Sequence, residues 1–546
     1  RVGQVFEAAI PIAIIAVGVG NLTGRSGMLG QNVIIQSIGS SSGVIVAGAI
    51  FTLPALYILG LEAHFYQIFL SSLFGGLLGI LLLIPFRKYF VKDMHGKYPF
   101  PEATATTEVL VSGEKKGDQA KLLACSGLIG GLYDFAVGTF GWWTENVSTR
   151  LAEWGTLLAD KAKLVFKVNT GAAVLGLGYI VGLRYAAYIC AGSFTVWFVL
   201  IPFISHFADG QTIAVGEGVT ALLRDMSPEE IFRNYARHIG IGGIAMAGVV
   251  GIIRSSKIIR QALSLAVTEL RGRQTPGQET GRTQRDLPMK LILALLIATL
   301  LTTFVFFRFG VLDNWFHSVI AILIVFVISF LFTTVAANAI AIVGTNPVSG
   351  MTLMTLILSS LVLVSAGLTG TGGMTAAMII GGVVCTALSM AGAFITDLKI
   401  GYWLGTTPAK QEGWKFLGTA VSAATVAGVL MILNQTYGFV GEGALVAPQA
   451  NAMAAVIKPL MEGGATPWML YLAGAALALI LTMIGVPALA FALGMFIPLE
   501  LNLPLLVGGL INWYVTTRSN KEQTNKERGE KGTLIASCLL YTSDAA

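Results

Sequence analysis

The chain reads as an all-α, polytopic helical membrane bundle of about fourteen spans, some of them broken or re-entrant, and three observations carry that reading. Hydrophobic residues make up 55% of the 546 and charged residues only 12%, with a mean hydropathy of +0.75. A soluble domain carries roughly 25% charge. Apolar stretches of about 20 residues recur along most of the chain, the length a helix needs to cross the hydrocarbon core of a bilayer. Two of these stretches are joined by Asn346-Pro347-Val348-Ser349-Gly350-Met351-Thr352. A polar Pro-Gly break in lipid strips backbone groups of helical partners, which protein, water or a solute must then replace.

In order, the spans fall at about 5–20, 44–61, 65–86, 122–141, 170–183, 185–205, 235–253, 289–309, 317–343, 351–369, 373–395, 414–433, 467–486 and 488–515. Pro498 and Pro504 interrupt the last, which can form two shorter pieces. The polar run Gln31–Gly43 precedes the second span as a further break. Pro99–Leu110 starts with a Pro turn and continues as a helix of small and Thr residues. Small-xxx-small pairs such as Gly75/Gly79, Gly127/Gly131 and Gly178/Gly182 suit close helix approach, although so Gly-rich a chain also produces such pairs by chance.

Basic residues set the orientation. Arg254–Lys290 holds eight Lys/Arg against three acids, Arg87–Lys121 seven against five, and Arg518–Lys531 five against three. The positive-inside rule places all three in the cytoplasm, with four spans between the loops 87–121 and 254–290. Asp397–Lys415 then falls on the same side as a connection, and Asn434–Gly464 is a Gly-rich outer loop unless 449–463 forms a half-span. Apolar residues at helical spacing make Arg254–Arg273 an amphipathic surface helix, followed by a flexible loop to Arg285. Residues 1–518 are expected to form the transmembrane domain and 519–546 a cytoplasmic tail. Within that tail, 533–546 lacks continuous periodicity and reads as an assembly artefact.

Several chemistries find no support in the residues. Nothing fits GxxxxGK[ST] or HExxH, and the five histidines are scattered. Cys125, Cys190, Cys385 and Cys538 are far apart and form no metal motif or disulfide framework. No enzyme, cofactor or bound metal is expected. The net charge of +6 is accounted for by the loops, without nucleic acid.

Asp134, within Gly130-Gly131-Leu132-Tyr133-Asp134-Phe135, is an ionisable residue inside a span. Such a carboxylate costs roughly 2.5–3.5 kcal/mol on insertion scales and belongs against a cavity, where it suits proton carriage, or at a span end as a cap. Glu108 is a second proton carrier or an ordinary residue of a cytoplasmic helix. Asn346, Ser349 and Thr352 supply hydrogen bonds to a solute, with Asn338 and Gln36 as second choices. An Asn in a span also serves equally as an interhelical donor. Trp142-Trp143 at a span end suit an interfacial anchor.

Taken together, these segments resemble a known family. Asn346–Thr352, Pro99–Leu110 (PFPEATATTEVL), Gln31–Leu56 and the closing Pro487–Trp513 resemble, in order, motifs of the oligopeptide transporter (OPT) family, particularly its prokaryotic and yellow-stripe-like branch. Gly39-Ser40-Ser41-Ser42 departs from the family, whose members usually carry an acidic group there. In the family a first helix precedes the segment that begins near Val2, so the resemblance implies a further preceding helix. The resemblance implies proton-driven uptake of small peptides or metal–chelate complexes through the cytoplasmic membrane. Its partners are then the substrate, protons and the lipid bilayer, with an oligomer left open and the C-terminus inside. A passive channel is the alternative, and the scarcity of buried charge rings disfavours it.

Overall fold

The computed structural model describes residues 28–543 other than 99, 115–117, 137–139, 141–142, 145, 208–211, 217–218, 223–224, 271–280, 344–347, 441–446 and 463–467, together with 12–13 and 15–17. Helices dominate, and the described strands are confined to two two-stranded sheets. Among the described residues seven helices are long and apolar enough to cross a membrane: Leu29–Ile58, Phe65–Asp93, Leu183–Phe207, Arg282–Gly310, Trp315–Ala341, Gly370–Trp403 and Pro408–Thr436. Met351–Ser365 and Trp468–Ile484 are shorter apolar helices. The chain divides into two units, one of residues 1–116 and 250–466, the other of 117–249 and 467–546.

The first unit is built around the helix Gly370–Trp403. As far as Thr396 its side chains are apolar or small on every side, the composition of a helix with no solvent face, and nearly all residues from Gly373 to Gly401 are buried. Leu29–Thr52, Phe65–Arg87, Pro101–Glu114, Trp315–Val343, Val348–Ser365 and Pro448–Glu462 surround it. Close approach is set by glycine: a Cβ at Gly75 or Gly79 would run into the Val383 or Ala387 carbonyl of the central helix. That small-xxx-small pair is therefore a packing seam.

Two features differ from the sequence expectation. The run 36–43 is not a break, because Leu29–Thr52 is one continuous helix. Ser42 donates to the Gly39 carbonyl three residues back at 2.8 Å, which satisfies its hydroxyl within the helix. Asp397–Lys415 is likewise not a loop: the helices run on to Trp403 and restart at Pro408, leaving only 404–407 as the turn. Gly405, at φ 73°, makes that turn, and Pro408 occupies a first helical position where no amide partner is needed.

One described helix runs to Val343 and the next starts at Val348, so Ser349, Gly350 and Thr352 are helical, while the expected break at Asn346-Pro347 lies outside the described residues. The Pro99–Leu110 segment forms the helix Pro101–Glu114, entered through Phe100 at φ 43° with its amide donating to Ala341 at 2.9 Å. The expected outer loop contains the helix Pro448–Glu462. The flexible loop ends sooner than Arg285: Ala409 donates to the Arg285 carbonyl at 3.0 Å, and Arg282 to that of Gly405 at 3.1 Å.

In the second unit three helix pairs share one packing device. Gly178 faces the carbonyl of Leu505, and Gly508 that of Leu175. Each glycine thus meets the oxygen three residues before its partner, so the two backbones touch at a symmetric crossing point. Gly192 with Gly494 and Gly242 with Gly474 repeat it. Gly182, by contrast, ends its helix at φ 80°, and a Cβ at Gly131 meets nothing, so those spacings are not seams. The closing segment forms two pieces, Ala488–Phe496 and Leu499–Thr517, split at Pro498. Glu522–Ser543 is a helix packed on Ala172–Val181, Asp118–Phe135 and Leu499–Thr517. Strand Asn146–Ser148 pairs with Lys167–Asn169, and Thr212–Gly216 with Val219–Leu222. Trp143 is 38% exposed and lies 5.2 Å from the Tyr133 ring; Trp142 lies outside the described residues.

Candidate functional site

Within the first unit three apolar helices bring a complete ion pair into the core. Lys415 donates to Asp397 Oδ2 at 2.6 Å, and both side chains are 0% exposed. Two charges removed from water cost several kcal/mol each unless every lone pair and proton is used. Here they are. Asp397 Oδ1 accepts from Gln36 Nε2 at 2.7 Å, while Oδ2 also accepts from Ser40 at 2.8 Å and Ser37 at 3.3 Å. Lys415 gives its other protons to the Ser37 carbonyl and to Ser40 Oγ, both at 2.7 Å, and lies 5.6 Å from the Phe394 ring.

The local sequence explains the geometry. Gln36, Ser37 and Ser40 fall on one face of their helix, and serine is short enough to let Lys415 reach between helices. Gly418, one turn after Lys415, brings its helix against the Ile38 carbonyl, where any side chain would collide. Gln411 donates to the Asp397 carbonyl at 3.0 Å, tying the hairpin across its turn.

Two more ionic groups flank this hairpin. Arg87, 1% exposed, grips Asp286 with two nitrogens, the Nη2 bond being 2.9 Å. Glu412, also buried, accepts from the Leu287 amide at 2.8 Å. Lys399 donates to the Val91 carbonyl at 2.8 Å and lies 3.2 Å from His95 Nδ1. The rings of Phe100, Tyr402 and Trp403 surround its ammonium at 5.2–5.3 Å. Just outside the spans, burial and the neighbouring Tyr89 push the Tyr98 phenol up to about 12. Among the described residues no group of three or more His, Cys, Asp or Glu stands arranged for a metal ion.

The residues singled out from sequence fare unevenly. Gln36 is in the ion-pair network, and its Oε1 is a buried oxygen with no hydrogen-bond partner among the described residues. Asn338 Oδ1 is in the same condition, on the helix Trp315–Val343. Glu108 is partly buried on Pro101–Glu114, which packs against the helices of Gln36, Asn338 and Asp397. Thr352 is buried but bonds its own helix, donating to Val348 at 2.7 Å. Asn346 lies outside the described residues, as do the side chains of Ser349 and Asp134; the Asp134 backbone belongs to the second unit.

Asp397 and Lys415 themselves were not legible as site residues, because hydropathy reading stops a span at its first charge. The turn chemistry held the missing signal: Gly405 and Pro408 bracket residues 404–407, so both charges belong to helices.

The ion pair is charge-neutral and lies about two turns inside each helix from the turn at 404–407. Comparison with known proteins gives this pair its setting. A protein of Haemophilus influenzae named "Putative oligopeptide transporter" is 28% identical along 99% of this chain and 89% of its own length. A family model described as OPT oligopeptide transporter protein matches residues 1–541. The chain belongs to the OPT oligopeptide transporter family, a family of membrane transporters.

Proposed function

We propose that this protein is a secondary active, proton-coupled transporter of small oligopeptides or peptide-like metal chelates across the cytoplasmic membrane, with its C-terminus inside. The observation that carries the coupling is the fully buried Asp397–Lys415 pair on two apolar helices. Intramembrane ionisable pairs are costly and mark ion and substrate pathways. A proton arriving on Asp397 removes the charge that holds Lys415. The freed ammonium then takes a substrate carboxylate, and loss of the proton restores the pair and expels the substrate. Ser40 accepts from Lys415 and donates to Asp397, so it moves with both steps.

In this reading Gln36 and Asn338 offer their buried oxygens to peptide N–H groups, with Asn346, Ser349 and Thr352 as further candidate donors. Glu108 and Asp134 are secondary proton carriers. Uptake of a radiolabelled tripeptide into proteoliposomes under an inward pH gradient tests the assignment. Asp397→Asn should abolish gradient-driven accumulation while Asp134→Asn and Glu108→Gln reduce it less. Undiminished accumulation by Asp397→Asn would remove the ion pair from the mechanism.

A further inference from the structure

The second unit contains a polar cavity of about 720 Å³ lined by Asp160, Lys161, Lys163, Ser205, His206 and Asp225. Its volume lies within the roughly 300–1,000 Å³ of small-molecule sites. It sits where the helix Glu153–Lys161 ends and the helix Ile201–Phe207 closes, and shares no residue with the buried ion pair.

Lys163 distinguishes this cavity from an ordinary charged surface. Its side chain is only 9% exposed, yet it makes no hydrogen bond and no ion pair among the described residues. Its charge is felt at Glu230, but that carboxylate is occupied by the amide and hydroxyl of Ser227, at 2.7 and 2.9 Å. Lys163 also holds φ 55°, a left-handed conformation uncommon for a residue with a side chain and found at sites where surrounding structure imposes it. Its ammonium has no ion-pair partner among the described residues and opens to the cavity, where an entering anion would meet it. Asp160 and Asp225 on the same wall call for a cation.

We infer that this cavity binds a small zwitterion, taking its carboxylate on Lys163 and its ammonium on Asp160 or Asp225. A short peptide with free termini is the member of that class supplied by the transport reading, on which the choice of peptide rests. The cavity then acts as a capture site separate from the coupling site.

Isothermal titration of the full chain in nanodiscs with trialanine, trialanine amide and N-acetyl-trialanine tests this. Trialanine should bind at least ~10-fold more tightly than either blocked form, the scale of one charge-assisted hydrogen bond. Lys163→Asn removes the charge with a residue that tolerates the left-handed backbone. It should weaken trialanine ~10-fold without further weakening the amide, and Lys163→Arg should restore most of the affinity. Equal binding of free and blocked peptides, absent binding, or native affinity in Lys163→Asn overturns the inference. Should Lys163→Asn unfold, the comparison of free and blocked peptides on the native chain still decides.

Uptake assays separate the two readings. Selective binding without trialanine accumulation leaves the capture site standing and removes the transport reading. Accumulation with an unchanged KM in Lys163→Asn does the reverse.

Discussion

Replacing Lys415 with Met tests whether the buried pair works as a unit. The methionine fills much of the lysine's volume but removes the cation 2.6 Å from Asp397. Asp397 keeps Gln36 at 2.7 Å, Ser40 at 2.8 Å and Ser37 at 3.3 Å, all neutral donors. Breaking one side of a buried ion pair costs about 3–5 kcal/mol because a charge is left uncompensated. That amounts to roughly two to three and a half decades in the folded-to-unfolded ratio. Adding Asp397→Asn removes the stranded charge, so the double variant should recover most of that loss while still failing to accumulate substrate. Denaturant unfolding of native, both single and the double variants in mixed micelles gives the coupling energy, expected at about 2–4 kcal/mol. Single-variant losses that simply add, within about 0.5 kcal/mol, would show that the two side chains do not stabilise one another.

Two further outcomes follow from the second unit. Gly178→Leu drives a side chain into the Leu505 carbonyl, and the expected loss of about 1–3 kcal/mol or more is read in the same unfolding assay, with Gly131→Leu, in open space, as the neutral control. Hydrogen bonds from Ser227 hold the Glu230 carboxylate below its ordinary value of 4.5. Its stabilisation is therefore complete above that value and lost as pH falls through the lower folded value. Ser227→Ala removes a cap worth about 1 kcal/mol near neutrality, and the gap to the native protein should narrow on acidification as the hydroxyl–carboxylate bond is lost; a gap that widens would contradict the capping role.

Class and element order were readable because their physics is local. A backbone in hydrocarbon must bond to itself, so long apolar runs become helices whatever surrounds them. The Pro101 helix start and the split at Pro498 follow equally from residues that cannot continue a helix. Charges were harder to place. A basic count treats Arg87, Lys399 and Lys415 alike as surface residues, whereas all three are at most 1% exposed. Their burial depends on partners far away in sequence: Asp286 for Arg87, Val91 for Lys399, and Ser37 and Ser40 for Lys415.

By itself, then, the sequence determined that this is a helical membrane protein with polar interruptions, and its motifs resembled the family that the comparisons establish. Only the tertiary structure decided that Ser37 and Ser40 belong to a continuous helix and that Asp397 and Lys415 are a buried pair. It also decided that Lys163 stands nine-tenths buried beside a cavity. The physical reason is that helix formation satisfies each segment's own backbone, while a buried charge is satisfied only by groups that folding brings from elsewhere in the chain.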